Sequence, residues 1–433
     1  MSSTTQGTLV LVATLLMLVS GIPVAFGLGA ISIIFLLFFH GIDSMHVVAE
    51  TFWSGLDEFT LVAIPMFVMM GAAIGSSPAG KDLYEALDRW LYRVPGGLVI
   101  SNLGACAIFA ALTGSSPACC AAIGKMGIPE MRRRGYPDDV ATGSICAGGT
   151  LGILIPPSIT FILYGIATET SIGRLFLAGL VPGLMLTFML AAYVMWFARR
   201  HGIGAGEAFK FDQFLRGLTR GIWALGMPFI ILGGIYGGVF SPTEAAAVAC
   251  VYAAFVTRFV FRELGWRDIV EAASATVLFS AQILIIVACA GVFSWLLTVN
   301  QIPAAIVGWL QALNISAWMF LLTINVILLV VGCFLDPLSA ILLLTPLLVP
   351  LVKAFGIDTV HFGIVVTVNL AIGLFHPPFG MNIFVAQSVL GLELRSIYRG
   401  IIPFLVIYLI ALGLITYIPV ISLGGMRFLL GLS

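Results

Sequence analysis

Two prolines stand side by side twice in this chain, in "GGTLGILIPPS" (148–158) and in "NLAIGLFHPPFGMN" (369–382). Each pair interrupts a stretch otherwise apolar enough to be a membrane helix. Proline has no amide donor and clashes with the preceding turn, so two together break the helix. A break frees carbonyl oxygens at the end of one half-helix and N–H groups at the start of the next. Carbonyls suit an alkali cation, and half-helix N-termini attract carboxylates. One break thus offers both parts of a cation-and-anion site without a charged side chain. His376, just before the second pair, has two readings: a cation or proton ligand, or a neutral histidine hydrogen-bonded to a freed carbonyl. Two more stretches are too irregular for lipid. "ALTGSSPACCAAIG" (111–124) can form a polar loop buried in protein. "GCFLDPLSAILLLTPLLVP" (332–350) carries Asp336. An intramembrane acid is a functional candidate, and Asp-Pro also caps helices; the two roles are compatible. Glu244, in "SPTEAAAV", reads as part of a helix cap.

The elements that must position these groups follow from composition. The chain has 433 residues, of which 60% are hydrophobic and 9% charged, with a mean hydropathy of +1.12. Soluble proteins carry about 25% charged residues, so this is an all-α polytopic membrane protein, with the lipid bilayer as its solvent. A net charge of zero gives no reason to expect a nucleic-acid partner. No H-E-x-x-H, G-x-S-x-G or Walker A pattern is present, which argues against an enzyme and a built-in ATPase. The N-terminus lacks a basic n-region and reads as a first membrane segment. The seven cysteines show no metal spacing and read as small packing residues.

A span needs about 20 apolar residues. Ordinary spans fall at 8–20, 22–39, 56–76, 172–198, 221–240, 243–261, 276–298 and 400–420, and residues 8–39 make one helix or two. The segments 97–124, 138–168, 316–350 and 358–389 are interrupted. "PAGKDLYEALDRWLYRV" (78–94) and "IPAAIVGWLQALN" (302–314) suit helices lying in the interface, the first with a plain linker as its alternative.

Displaced by 221 positions, the chain matches itself. Pro129 falls on Pro350, Gly152 on Gly373, Pro156 and Pro157 on Pro377 and Pro378, Gly179 on Gly400, and Pro182 on Pro403. This predicts two halves, 1–210 and 211–433. Lys81, Arg89, Arg93, Lys125, Arg132, Arg133, Arg134, Arg199, Arg200, Lys210, Arg216, Arg220, Arg258, Arg262, Arg267, Arg395 and Arg399 are placed in the cytoplasm by the positive-inside bias. Only Arg174, Lys353 and Arg427 then lie outside. That makes 97–124 a re-entrant hairpin from the cytoplasmic side and 316–350 one from outside. Each half crosses five times, so the second is inverted and both termini are periplasmic. Inverted repeats with broken helices point to a secondary transporter.

"GGTLGILIPPSI", "IPEMRRRGY", "GGIYGGVFSPTEAAAVA" and "HFGIVVTVNLAIGLFHPPFGMNIFVA" closely resemble the large membrane subunit of tripartite ATP-independent periplasmic transporters, along nearly the whole chain. The resemblance implies a bacterial or archaeal inner-membrane protein with an elevator-type architecture. It implies two partners, a small four-helix membrane subunit and a soluble periplasmic binding protein. The implied activity is Na+-driven uptake of C4-dicarboxylates, sialic acids or other organic anions. Carried over by motif, one sodium site involves Ala110, Thr113, Gly152, Ile155 and Pro157. A second involves Gly332, Gly373, His376 and Phe379. Substrate would sit near Ser115, Ser116, Asp336 and Asn382. The usual residue at position 376 is threonine, so His376 departs from the pattern and opens proton coupling or a carbonyl-only site. A stand-alone ion-coupled symporter without a binding protein is the alternative.

Overall fold

The computed structural model describes residues 3–75, 77, 79–91, 94–203, 211–262 and 265–431. Arg93 and Lys210, on which the orientation argument draws, lie outside them. Every regular element among the described residues is helical. Among the described residues, five helices are long and apolar enough to cross a membrane: Ile172–Arg200, Pro242–Val260, Arg267–Val299, Pro337–Ala354 and Leu394–Tyr417. Two bent pairs bring the number to seven, Ile42–Ser54 with Phe59–Gly75 (52°) and Asp138–Leu154 with Ile159–Thr168 (43°).

Residues 8–39 form two helices, Ser3–Val19 and Val24–His40. Gly21, at φ 76°, turns the chain, and Pro23 with φ −54° opens the second helix. The first hairpin runs from Gly97–Thr113 into Ser116–Arg133, so its second arm extends beyond the anticipated end at 124. Pro129 forfeits only one ladder bond within it. The arm's charged end is anchored instead: Arg134 makes a forked pair with Asp88 at 3.3 and 2.8 Å and a 2.9 Å bond to Glu130. Asp88 belongs to the helix Ala79–Leu91. That helix is amphipathic, burying Leu83, Tyr84 and Ala86 while Trp90 is exposed. Burial pushes the Asp88 carboxyl up, and the Arg134 guanidinium opposes the shift.

The second hairpin is Ala317–Gly332 with Pro337–Ala354. The broken helices are Asp138–Gly148, Leu151–Leu154 and Ile159–Thr168 in one case, and Thr359–Gly373 and Met381–Ser388 in the other. Two helices had no signal in the span reading, Met45–Ser54 and Pro419–Leu430.

Hairpins and broken helices pack with Ile172–Arg200, Leu394–Tyr417 and Pro419–Leu430 into one bundle. Its first hairpin helix, apolar from Leu98 to Leu112 except at Ser101 and Asn102, is almost wholly buried, as a helix at the centre of a membrane bundle must be. In lipid, helices associate through close packing of small residues rather than water exclusion. Gly143 meets Gly400 in this way: a Cβ at either would collide with the opposite backbone. The same crossing is tied by Tyr408, whose hydroxyl lies 2.7 Å from Thr150 Oγ1 and 3.0 Å from the Ala147 carbonyl. A second group pairs Val24–His40 and Ala63–Gly75 with Trp266–Val299, and Ala63–Gly75 with Pro242–Phe255. At the start of Pro242–Phe255, Ser241 and Glu244 form the anticipated capping box.

Candidate functional site

The first break begins after Leu154. Ile155 is extended (φ −89°, ψ 121°), as is Ser158 (φ −130°, ψ 120°), and the helix restarts at Ile159. An α-helical carbonyl accepts from the amide four residues on. For Gly152 and Ile153 those positions are Pro156 and Pro157, which have no N–H. The Ile153 carbonyl is recovered by Ser158 Oγ at 2.6 Å. The Gly152 carbonyl has lost its helical donor.

The second break repeats this arrangement. Gly373 and Leu374 face Pro377 and Pro378. The Leu374 carbonyl is recovered, here by the Asn382 amide at 2.8 Å, and Gly373 is the one that loses its donor. Both Pro-Pro peptide bonds are cis.

Each of these glycines is pressed against the neighbouring hairpin. A Cβ on Gly152 would collide with Ala110 and the Ala111 amide, and a Cβ on Gly373 with the Gly332 backbone. Ala111 and Gly332 occupy matching positions in the 221-residue offset. Both breaks thus place a carbonyl without a helical donor beside the end of a hairpin arm.

Their side chains differ. At the first break, the Ala110 carbonyl already accepts from Gly114 at 2.8 Å. Thr113 donates to the Phe109 carbonyl at 3.0 Å and keeps its oxygen as an acceptor. Ala110, Thr113, Gly152, Ile155 and Pro157 offer oxygen alone, which fits a hard cation such as sodium. At the second break, His376 Nδ1 lies 3.1 Å from Cys333 Sγ. This corrects the expectation of a carbonyl partner for the histidine, and Cys333 is more than a packing residue. Phe379 contributes no polar side-chain atom; its ring rests against Phe334 with centroids 5.4 Å apart. Cys333 and His376 thus bring sulfur and nitrogen to the second break, a poor match for sodium.

Between the two hairpin tips lies a cavity of about 300 Å³. Ser115 caps the first hairpin's second arm, accepting from the Ala118 amide at 3.3 Å. Asp336 does the same for the second hairpin, with Oδ2 accepting from Leu338 at 3.1 Å and Ser339 at 3.0 Å. These residues and Ser116 line the cavity. Asn382 is not among its lining residues and is fully buried. Its Nδ2 donates to Ser116 Oγ at 2.9 Å and to the Cys146 carbonyl at 2.7 Å. It joins the first hairpin tip, the first broken helix and the second break.

Thr160, Ser339, Phe279 and Gln282 also line the cavity. The last two lie on Trp266–Val299, a helix of the second packing group. Among the described residues, no Lys, Arg or His lines the cavity. An anion there would meet hydroxyls and the first turns of two helices, where the macrodipole favours negative charge, but also the Asp336 carboxylate, which opposes it.

Comparison with known proteins agrees with this architecture. Residues 11–421 match the family described as the tripartite ATP-independent periplasmic transporter, DctM component. The C4-dicarboxylate TRAP transporter large permease protein DctM of Pseudomonas aeruginosa is 41% identical over 88% of this chain and 90% of its own length. The isethionate TRAP transporter permease protein DctMQ of Oleidesulfovibrio alaskensis is 38% identical over 94% of this chain and 64% of its own length. The YdaH transporter of Alcanivorax borkumensis shares the fold, with a TM-score of 0.63 at 15% identity over 98% of both chains. The relatives are named as permeases, not enzymes, and the chain is a multi-pass membrane protein belonging to the DctM family of tripartite ATP-independent periplasmic transporters.

Proposed function

We propose that this chain takes up an organic acid anion across the bacterial inner membrane, coupled to sodium and driven by an elevator movement of the hairpin bundle. The observation that carries the reading is the cavity shared by both hairpin tips and both breaks. It joins, at one place, the hairpin tip and break within 111–160 and those within 332–382, which the 221-residue offset relates. Its polar groups are Ser115, Ser116, Thr160, Ser339, Asp336 and Gln282.

Sodium bound at the first break supplies the positive charge that the cavity wall lacks. Ala110, Thr113, Gly152, Ile155 and Pro157 would hold it there. Ser115 and Ser116, in the same turn as Thr113, would orient the carboxylate, and Asp336 would accept from a substrate hydroxyl. Gln282 and Phe279, on the second packing group, face the cavity from the side past which the bundle would slide. C4-dicarboxylates are the first candidates, because the relative with 41% identity is named for them. Isethionate, in the name of another relative, is also a small organic anion. That relative is longer than this chain, which suits a small membrane subunit joined to a large one. Here the small four-helix subunit and a periplasmic binding protein would be separate partners.

The test is uptake into proteoliposomes containing this chain and its small subunit, with the binding protein outside. Uptake that follows an imposed Na+ gradient supports the reading. Uptake indifferent to every cation gradient excludes symport, and full uptake without a binding protein points to a stand-alone symporter.

A further inference from the structure

We propose that the second break is a binding site for a soft divalent cation, held by Cys333 and His376. Cys333 follows the last turn of Ala317–Gly332, and His376 lies on the break itself. Their Sγ and Nδ1 atoms are 3.1 Å apart, and Sγ lies 3.9 Å from the Pro377 carbonyl. Zinc binds sulfur at about 2.3 Å and imidazole nitrogen at about 2.0–2.1 Å, which across a tetrahedral angle puts the two ligands about 3.5 Å apart. A small outward shift of the imidazole reaches that spacing.

The pair is specific to this break. Its counterparts one repeat earlier are Leu112 and Ile155, which carry no donor. Cys333 Sγ also lies 3.3 Å from the Leu329 carbonyl one turn back; among the other buried thiols, Cys119 points to the Cys106 carbonyl, and Cys120 and Cys146 to the Asn382 carbonyl. No group of three His, Cys, Asp or Glu side chains suited to a metal occurs among the described residues. The site is therefore a two-side-chain site, completed by water and backbone oxygen. Thiolate and imidazole together favour Zn2+ or Cd2+ over hard cations. Binding transfers the Cys333 thiol proton to water as the metal–sulfur bond forms. Cys333 is 8% exposed, and His376 is half-buried. Phe334 and Phe379, which flank the pair in the sequence, are 67% and 49% exposed. A bound ion would bridge the second hairpin to the break.

The proposal stands apart from the transport reading, because binding is measured on the purified chain without any substrate. The experiment is Cd2+ titration, with equilibrium dialysis for stoichiometry and cadmium–thiolate charge-transfer absorption for the ligand. The wild type should take one Cd2+ with thiolate absorption. Cys333→Ser should lose that absorption, and His376→Thr should bind at least about tenfold more weakly, the scale on which lost support is felt at metal sites. Cys333→Ala serves in place of Cys333→Ser if the serine variant does not fold. A wild type without saturable thiolate absorption overturns the proposal. So do variants with unchanged stoichiometry and affinity.

Discussion

The two breaks share a backbone and differ in side chains. In both, Pro-Pro removes two helical donors, a glycine carbonyl loses its partner, and that glycine abuts a hairpin arm. In both, the next carbonyl is recovered, once by Ser158 Oγ and once by the Asn382 amide. Position 155 is isoleucine and position 376 histidine; position 112 is leucine and position 333 cysteine. The lesson is that the repeat preserves what the backbone must do, while side chains at matching positions are free to separate the two sites chemically.

The largest predicted effect tests the shared backbone. Gly152→Val and Gly373→Val should each cost about 3 kcal/mol or more, at the upper end of overpacking penalties. Both should abolish uptake and sharply reduce the yield of folded protein. If either is tolerated, the close approach is not a requirement of both breaks. Asn382→Ala comes next. It strips partners from Ser116 and the Cys146 carbonyl, and buried groups left unsatisfied cost about 1–3 kcal/mol. Its counterpart is Phe161, a buried apolar residue, so this junction belongs to one half only. Thermal unfolding in detergent measures it.

The hairpin caps give a smaller effect. Ser115→Ala and Asp336→Ala should each lower stability by about 1 kcal/mol. Asp336→Asn keeps an acceptor for the cap, so it should change substrate KM more than stability. A change in stability alone would leave Asp336 as a cap and nothing else.

The smallest effect lies at the turn after the first hairpin. Arg132 bonds Asp138 at 2.7 Å and holds its carboxyl below the usual carboxylate range. A depressed carboxyl stabilises the folded state above its unfolded pKa, about 3.9. That contribution fades as pH falls through the folded value. The pair is largely exposed, so Asp138→Asn should cost at most about 0.5 kcal/mol at pH 7. The difference should shrink as pH falls below the unfolded value and through the folded one. Thr359, the matching residue, lacks a charge, so Thr359→Val should show no such pH dependence.

Much of this fold was legible because glycine and proline carry backbone information. The breaks, the hairpin tips and the caps at Asp336 and Glu244 were all readable from such residues. The arm beyond residue 124 was not, because charged residues at a membrane edge look like a linker until Arg134 is seen to grip Asp88. Gln282 and Phe279 lay hidden in an ordinary apolar span, whose sequence does not tell which face meets a cavity. The Cys333–His376 pair joins residues far apart in the chain, and a cysteine in an apolar run has no local signal of a partner. Asn382 was readable as polar and near the site, but its role depends on three segments meeting.

The central claim is that the two breaks share a backbone site while only the first has an oxygen-only shell. The direct measurement is the Na+ dependence of uptake in proteoliposomes, wild type against His376→Thr. A Hill coefficient cannot exceed the number of coupled sites. The wild type should give a value of about one, and His376→Thr, which restores a hydroxyl at the second break, a value clearly above one. A wild-type value of about two that His376→Thr leaves unchanged would contradict the account.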